Sequence, residues 1–206
     1  MVKHMEPMEI ERRSMEIIES ELTVPLAPDV KPIVKRVIHA TADFSFAETL
    51  HFSPCVVEEI HRLLRSGATI VTDTNMALSG INKPALNKLN CRAICLMAEP
   101  EIAAEAKARG VTRATVSMEH ALRIDGPKLL VCGNAPTFLF PLFDGNAPID
   151  TAVIGVPVGF VNVVEAKDML WHSGIPCITA LGRRGGSNVA AAIVNALLYG
   201  MEGVRG

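Results

Sequence analysis

Aromatic residues are scarce: Phe, Trp and Tyr together make up 4% of the 206 residues, with one Trp and one Tyr. Apolar content is nonetheless 49%, carried mostly by Ala, Val, Ile, Leu and Met. That mix suits helices packed on a buried parallel sheet better than a β-sandwich. No uninterrupted apolar run reaches the length of a membrane span, so a membrane role is not expected. The stretch MVKHMEPMEIERR is charged throughout, unlike a basic flank before an apolar core, and a cytoplasmic location is expected. Formal net charge is −2 and no Lys/Arg block is long enough to track a phosphate backbone, which excludes an electrostatic footprint for nucleic acid.

Several chemistries lack their signatures. Cys55, Cys91, Cys95, Cys132 and Cys177 form an odd set with no C-x-x-C pair, and four sit in apolar segments. They read as small buried hydrophobes in a reducing compartment, with no disulfide and no metal role. The histidines show no H-E-x-x-H and no i, i+4 pair, so no metal site is expected. There is no G-x-S-x-G elbow, and neither G-x-x-x-x-G-K-[ST] nor G-x-G-x-x-G is present. A nucleotide-dependent enzyme on a Rossmann-like sheet would need such a phosphate loop.

What is present is a regular alternation. An opening amphipathic helix, PMEIERRSMEIIESEL, carries an apolar stripe at Met8, Ile10, Met15, Ile17, Ile18 and Leu22. PDVKPIVKRVIHA is a second helix, and CVVEEIHRLLRSG a third closed by Gly67. Apolar strand-like runs then appear at 68–72, 91–97, 128–132, 151–156 and 176–181. Helical segments separate them: EIAAEAKARG with TVSMEHALRI, APTFLFPLF, FVNVVEAKDMLWHSG, and finally NVAAAIVNALLYG. Strands alternating with helices predict an α/β fold: one domain over residues 1–206, three α/β/α layers, and a mainly parallel sheet of about five strands.

In such sheets ligands bind beyond the carboxyl ends of the strands, where loops and helix N-termini converge. Those ends carry DTNMALSGI, AEP, GNAPT, GVPVGF and GRRGGSN. Thr72 and Asn75 at the first, Asn134 at the third, and Ser187 and Asn188 at the last are candidate ligand contacts; Thr137 can serve equally as a helix cap. Capping alone would explain any one of them, whereas several such loops on one edge favour a binding rim. GRRGGSN resembles an anion cradle, with Gly185 and Gly186 exposing backbone donors and Arg183 or Arg184 supplying a planar charged fork. Arg113 in GVTRA reads either as a further clamp or as an ordinary solvated arginine at a helix start.

His61, His120 and His172 lie within helical segments and read as surface or satisfied core groups. His39 differs. It ends a helix, where the dipole favours a cation, and Thr41 and Asp43, themselves candidate substrate contacts, follow closely enough to orient its ring.

RVIHATADFSF, DTNM with SGI after it, GVTRA, GNAPT, IGVPVGFVNVVEAKDML and GRRGGSNVAAAIVNALL together resemble the precorrin-8X methylmutase family of cobalamin biosynthesis, in the same order from first helix to last. The resemblance implies movement of a methyl group from C-11 to C-12 of precorrin-8X or cobalt-precorrin-8, giving hydrobyrinic or cobyrinic acid. It implies a homodimer with the site near the subunit interface, and handover to neighbouring pathway enzymes. It places the family's catalytic histidine on His39, and substrate contacts on Ser14 and Arg113. No cofactor is implied, because methyl group and electrons both stay on the substrate. The family's motif commonly carries glycine where this chain has Ala42. A non-catalytic corrinoid-binding or handover protein is the alternative, sharing the rim and the arginines while leaving the pigment unchanged.

Overall fold

The computed structural model describes residues 6–145 and 149–204. The chain opens with α1 (Pro7–Glu21) and α2 (Lys31–Thr41), each with proline in its first turn, where the missing N–H costs nothing. Next come α3 (Phe46–Thr49), β1 (Leu50–Phe52), α4 (Val56–Arg65) and β2 (Thr69–Thr72). Then follow α5 (Asn75–Gly80), α6 (Lys83–Lys88), β3 (Arg92–Ile94), α7 (Pro100–Arg109), α8 (Arg113–Leu122) and β4 (Lys128–Cys132). The chain closes with β5 (Thr151–Gly155), α9 (Val163–His172), β6 (Cys177–Ala180) and α10 (Ser187–Tyr199).

The strands form one sheet in the order β1-β6-β5-β4-β2-β3. All neighbours are parallel except β1, which lies antiparallel to β6 with Leu50 opposite Ala180 and Phe52 opposite Ile178. The expected count of about five strands therefore falls short by this edge strand. Its three residues, LHF, are too few to alternate, and its pairing comes from a partner more than a hundred residues away.

Alternate residues of the buried strands face two apolar layers. Ile70, Leu129, Val131, Ala152, Ile154 and Ile178 pack with α2, α4 and α10, whereas Val71, Leu130, Cys132, Val153 and Cys177 pack with α8 and α9. This is the period of two expected of strands covered on both sides, and it makes three layers.

Two local expectations change. The segment after β2 holds α5 and α6, capped by Thr74 (Oγ1 accepting from the Ala77 N–H, 3.1 Å) and Asn82 (Oδ1 accepting from the Ala85 N–H, 3.0 Å). APTFLFPLF, expected as one helix, is two 3-10 turns at Pro136–Phe138 and Phe140–Asp144. Pro141 lacks the N–H that a continuous α-helix would need there. Four of the five cysteines are buried, and Cys55 is exposed.

Candidate functional site

The strand order reverses direction between β2 and β4: from β2 the chain steps outward to β3, then returns to the other side as β4, β5 and β6. A crevice at the carboxyl ends of such a pair is where open α/β sheets hold ligands. Asp73, the residue after β2, is fully buried there and accepts from the backbone N–H groups of Gly133 (2.9 Å), Asn134 (2.7 Å) and Ala135 (2.7 Å). Burial pushes its carboxyl up from the usual carboxylate range while those three donors pull it down. Asp73 thereby fixes the turn that presents Asn134, whose side chain faces solvent.

The N-terminus of α10 closes over this turn. Ser187 is 7% exposed, its hydroxyl 2.8 Å from that of Thr74. A Cβ on Gly133 would sit 2.7 Å from Ser187 Cα, so only glycine allows this approach. The preceding loop lies against the β5 end just as closely: the Gly186 N–H donates to the Val156 carbonyl (2.9 Å), and the Gly159 N–H to the Arg183 carbonyl (3.2 Å).

Beneath the arginines lies Lys167 of α9, fully buried, its Nζ donating to the carbonyls of Gly182 (2.9 Å) and Arg184 (2.6 Å). Burial lowers its pKa to about 8. A signal for it exists in the sequence, since Lys167 shares the helical stripe of the buried residues Val163, Ala166 and Leu170. Asp73 had a weaker signal, a carboxylate directly after an apolar strand.

The two arginines separate into different roles. Arg184 donates to Asp43 Oδ2 (2.6 Å) and to the Ser45 hydroxyl. Asp43 also accepts from the Ser45 N–H (3.0 Å), and its carboxyl is held below the ordinary range by the Ser45 hydroxyl first, then by that N–H and by Arg184. This latch ties the segment after α2 to the β6–α10 loop. The Arg183 guanidinium instead lies over the ring of Phe160, 5.4 Å from its centroid, with no side-chain hydrogen bond or ion pair to the other described residues.

His39 sits exposed in the last turn of α2, two residues before the helix ends. The expectation that Thr41 and Asp43 orient its ring is corrected here. The Thr41 hydroxyl donates back to the Val37 carbonyl (2.8 Å) and accepts from the Asp43 N–H (3.2 Å), while Asp43 is engaged by Arg184 and Ser45. Helix termination consumes the Thr41 hydroxyl, and the latch to Ser45 and Arg184 consumes the Asp43 carboxylate. Thr72 is likewise corrected: it is fully buried, and its hydroxyl serves the carbonyls of Thr74 (3.0 Å) and Ile94 (3.3 Å), so it frames the rim without facing a ligand.

The remaining candidates are placed as follows. Asn75 and Asn188 are exposed in the first turns of α5 and α10. Arg113, exposed at the start of α8, reaches the Met97 carbonyl at 3.4 Å. Thr137 joins the same edge through Thr112, hydroxyl to hydroxyl at 2.8 Å. Ser14 is half-buried, its hydroxyl donating to the Ile10 carbonyl (2.8 Å) on a helix tied to α2 by Glu11–Arg36 (2.8 Å) and Glu19–Lys35 (2.9 Å). His61, His120 and His172 are satisfied by Leu197, Glu105 and Asp168 respectively. His61 walls a groove of about 650 Å³ with Ile33, Arg65 and Leu197, at the opposite end of α10 from Ser187.

Fold and loops together define a three-layer α/β protein whose glycine-rich and polar loops converge beside its topological switch. The family model described as Precorrin-8X methylmutase matches residues 9–200. The chain is 45% identical over 202 residues to the cobalt-precorrin-8 methylmutase of Salmonella typhimurium, covering 94% of this chain and 95% of that one. It is 38% identical over 194 residues to the precorrin-8X methylmutase of Pseudomonas aeruginosa, covering 91% and 93% respectively. A crystal structure of the precorrin-8X methyl mutase from Thermus thermophilus superposes with a TM-score of 0.85 at 37% identity, covering 93% of this chain and 95% of that one. The chain belongs to the precorrin-8X methylmutase family.

Proposed function

We propose that this chain is an isomerase of cobalamin biosynthesis that moves the methyl group of precorrin-8X, or of its cobalt form, from C-11 to C-12. The observation that carries the reading is the family match across residues 9–200, which includes His39 in its R-x-I-H-A-T setting. The substrate is a wide, mostly apolar macrocycle fringed with carboxylates. It calls for apolar surface, a few arginines and backbone donors, and one acid. Arg183 and Arg113 supply charged forks at the rim, Asn75, Asn134 and Asn188 supply amides, and Ser14 with the Ser187 end of α10 completes the contact set. His39, as imidazolium, protonates or hydrogen-bonds a ring nitrogen, which lowers the barrier to a 1,5-sigmatropic shift. The methyl group and its electrons stay on the substrate, so the reaction calls for no redox or group-carrying cofactor.

The enzyme works in the cytoplasm as a homodimer and passes its product to the next enzyme of the pathway. Two observations bear on location and dimer: no helix among the described residues is long and apolar enough to cross a membrane, and on α1 Ile10 is 51% and Ile17 48% exposed, an apolar stripe left for a partner subunit. The test is incubation with precorrin-8X and, separately, cobalt-precorrin-8, followed by absorbance and mass. Conversion to the corrin chromophore at unchanged mass supports the isomerase. Tight binding with an unchanged spectrum would replace it with a handover protein.

A further inference from the structure

Of the seven phenylalanines, six are buried or half-buried, and Phe160 alone is exposed, at 82%. Exposing a phenyl ring on a chain this poor in aromatics leaves a large apolar area in water, and a ligand that covers it gains that area back. Phe160 is flanked by Val158 (44%) and Val161 (76%) on the loop after β5, at the carboxyl edge of the sheet. Its position is not loose. The Gly159 N–H donates to the Arg183 carbonyl, the Gly186 N–H donates to the Val156 carbonyl, and Lys167 holds the carbonyls on both sides of Arg183. These bonds tie the two loops together, with the Arg183 guanidinium placed over the phenyl ring.

A cation–π contact uses the charge of the guanidinium and leaves its N–H donors free. The neighbouring Arg184 is neutralised by Asp43, so Arg183 is the arginine of this loop with charge and donors to offer. We infer that Phe160 and Arg183 form one specificity subsite, in which the phenyl face covers the apolar margin of the bound macrocycle while the guanidinium reads a free carboxylate on its periphery. The inference rests on the reading that the rim takes a carboxylate-fringed tetrapyrrole. A second copy of the chain is a poorer occupant, because it would have to bury an unpaired guanidinium.

Equilibrium titration with cobyrinic acid and with its fully methyl-esterified form tests this, using wild type, Arg183→Ala, Phe160→Ala and Phe160→Trp, with Arg65→Ala as a charge-matched control and thermal melts to verify folding. Wild type should prefer the acid. Arg183→Ala should weaken acid binding by about tenfold and leave the ester unchanged. Phe160→Ala should weaken acid and ester alike through the lost apolar cover and, with the guanidinium no longer held over a ring, should also lose part of the acid preference, whereas Phe160→Trp should keep both. Equal losses of acid and ester in Arg183→Ala, no loss of ester binding in Phe160→Ala, or no acid preference in wild type would overturn the subsite. So would weakened self-association at unchanged acid affinity. If wild type converts precorrin-8X while Arg183→Ala leaves KM unmoved, the subsite falls and the isomerase stands. If wild type converts nothing but the acid preference still depends on Arg183, the isomerase falls and the subsite stands.

Discussion

Ala42 shows at the residue scale what the fold asks of the RVIHATADFSF segment. It closes α2 with φ 53° and ψ 27°, its N–H donating to the Ile38 carbonyl at 2.7 Å. That left-handed conformation strains any residue with a Cβ, and glycine, common at this position in the family's motif, would relieve it. Ala42→Gly should therefore stabilise the protein by about 1 kcal/mol, read as a rise of a few degrees in melting temperature; an unchanged or lower value would show that the strain is absent. The adjacent Asp43 carries a pH signature. Its carboxyl is depressed in the folded chain, so its stabilising contribution is complete above the ordinary Asp range and is lost as pH falls through the folded value. The pair with Arg184 is partly exposed, so Asp43→Asn should cost no more than about 1 kcal/mol near neutrality. The gap to wild type should close in melts run progressively further below the ordinary Asp range. A gap that widened in acid would contradict this assignment.

At the scale of elements, the rim depends on α10 reaching the β4 turn. Gly133 makes that possible, since an added Cβ would meet the Ser187 backbone at 2.7 Å, and backbone cannot step aside like a side-chain tip. Gly133→Ala should cost about 1–3 kcal/mol in denaturant melts by forcing the two loops apart. Turnover should fall further than stability does, because the same loops carry Asn134 and Arg183; wild-type stability and turnover would refute the close approach. The elements also show where the sequence is legible. Long segments with a clear period, such as IVKRVIH, VVEEIHRLLR and NVAAAIVNALL, read as helices, and the five runs of apolar residues read as strands. Elements decided by punctuation or by distant partners did not read through. Gly80 and Pro84 make α5 and α6 look like loop, Pro141 breaks a helix-like run into 3-10 turns, and the three-residue β1 exists through its pairing with β6.

Over the whole molecule, the loops that carry Asn75, Asn134, Arg183 and Asn188 lie at the carboxyl ends of β2, β4 and β6, the edge where a strand–helix alternation puts its ligand loops. The candidate residues could be picked from the sequence because glycine, asparagine and arginine cluster after apolar runs. Their connections could not. Arg184 meets Asp43 across 141 residues, and Asp73 meets Ala135 across 62, separations that no local spacing encodes. The same distance explains why local spacing points Thr41 and Asp43 at His39, whereas the fold spends them on closing α2 and on latching it to the arginine loop. That latch fixes the polypeptide beside His39 and leaves the ring itself exposed, as a proton donor to a bound pigment would require. The most direct test of the account is single-turnover absorbance with precorrin-8X and its cobalt form, comparing wild type with His39→Ala under conditions where both bind pigment. The account predicts a shift to the corrin spectrum in wild type and a loss of at least about a hundredfold in rate for His39→Ala, with pigment affinity retained. Turnover by His39→Ala at the wild-type rate would contradict it.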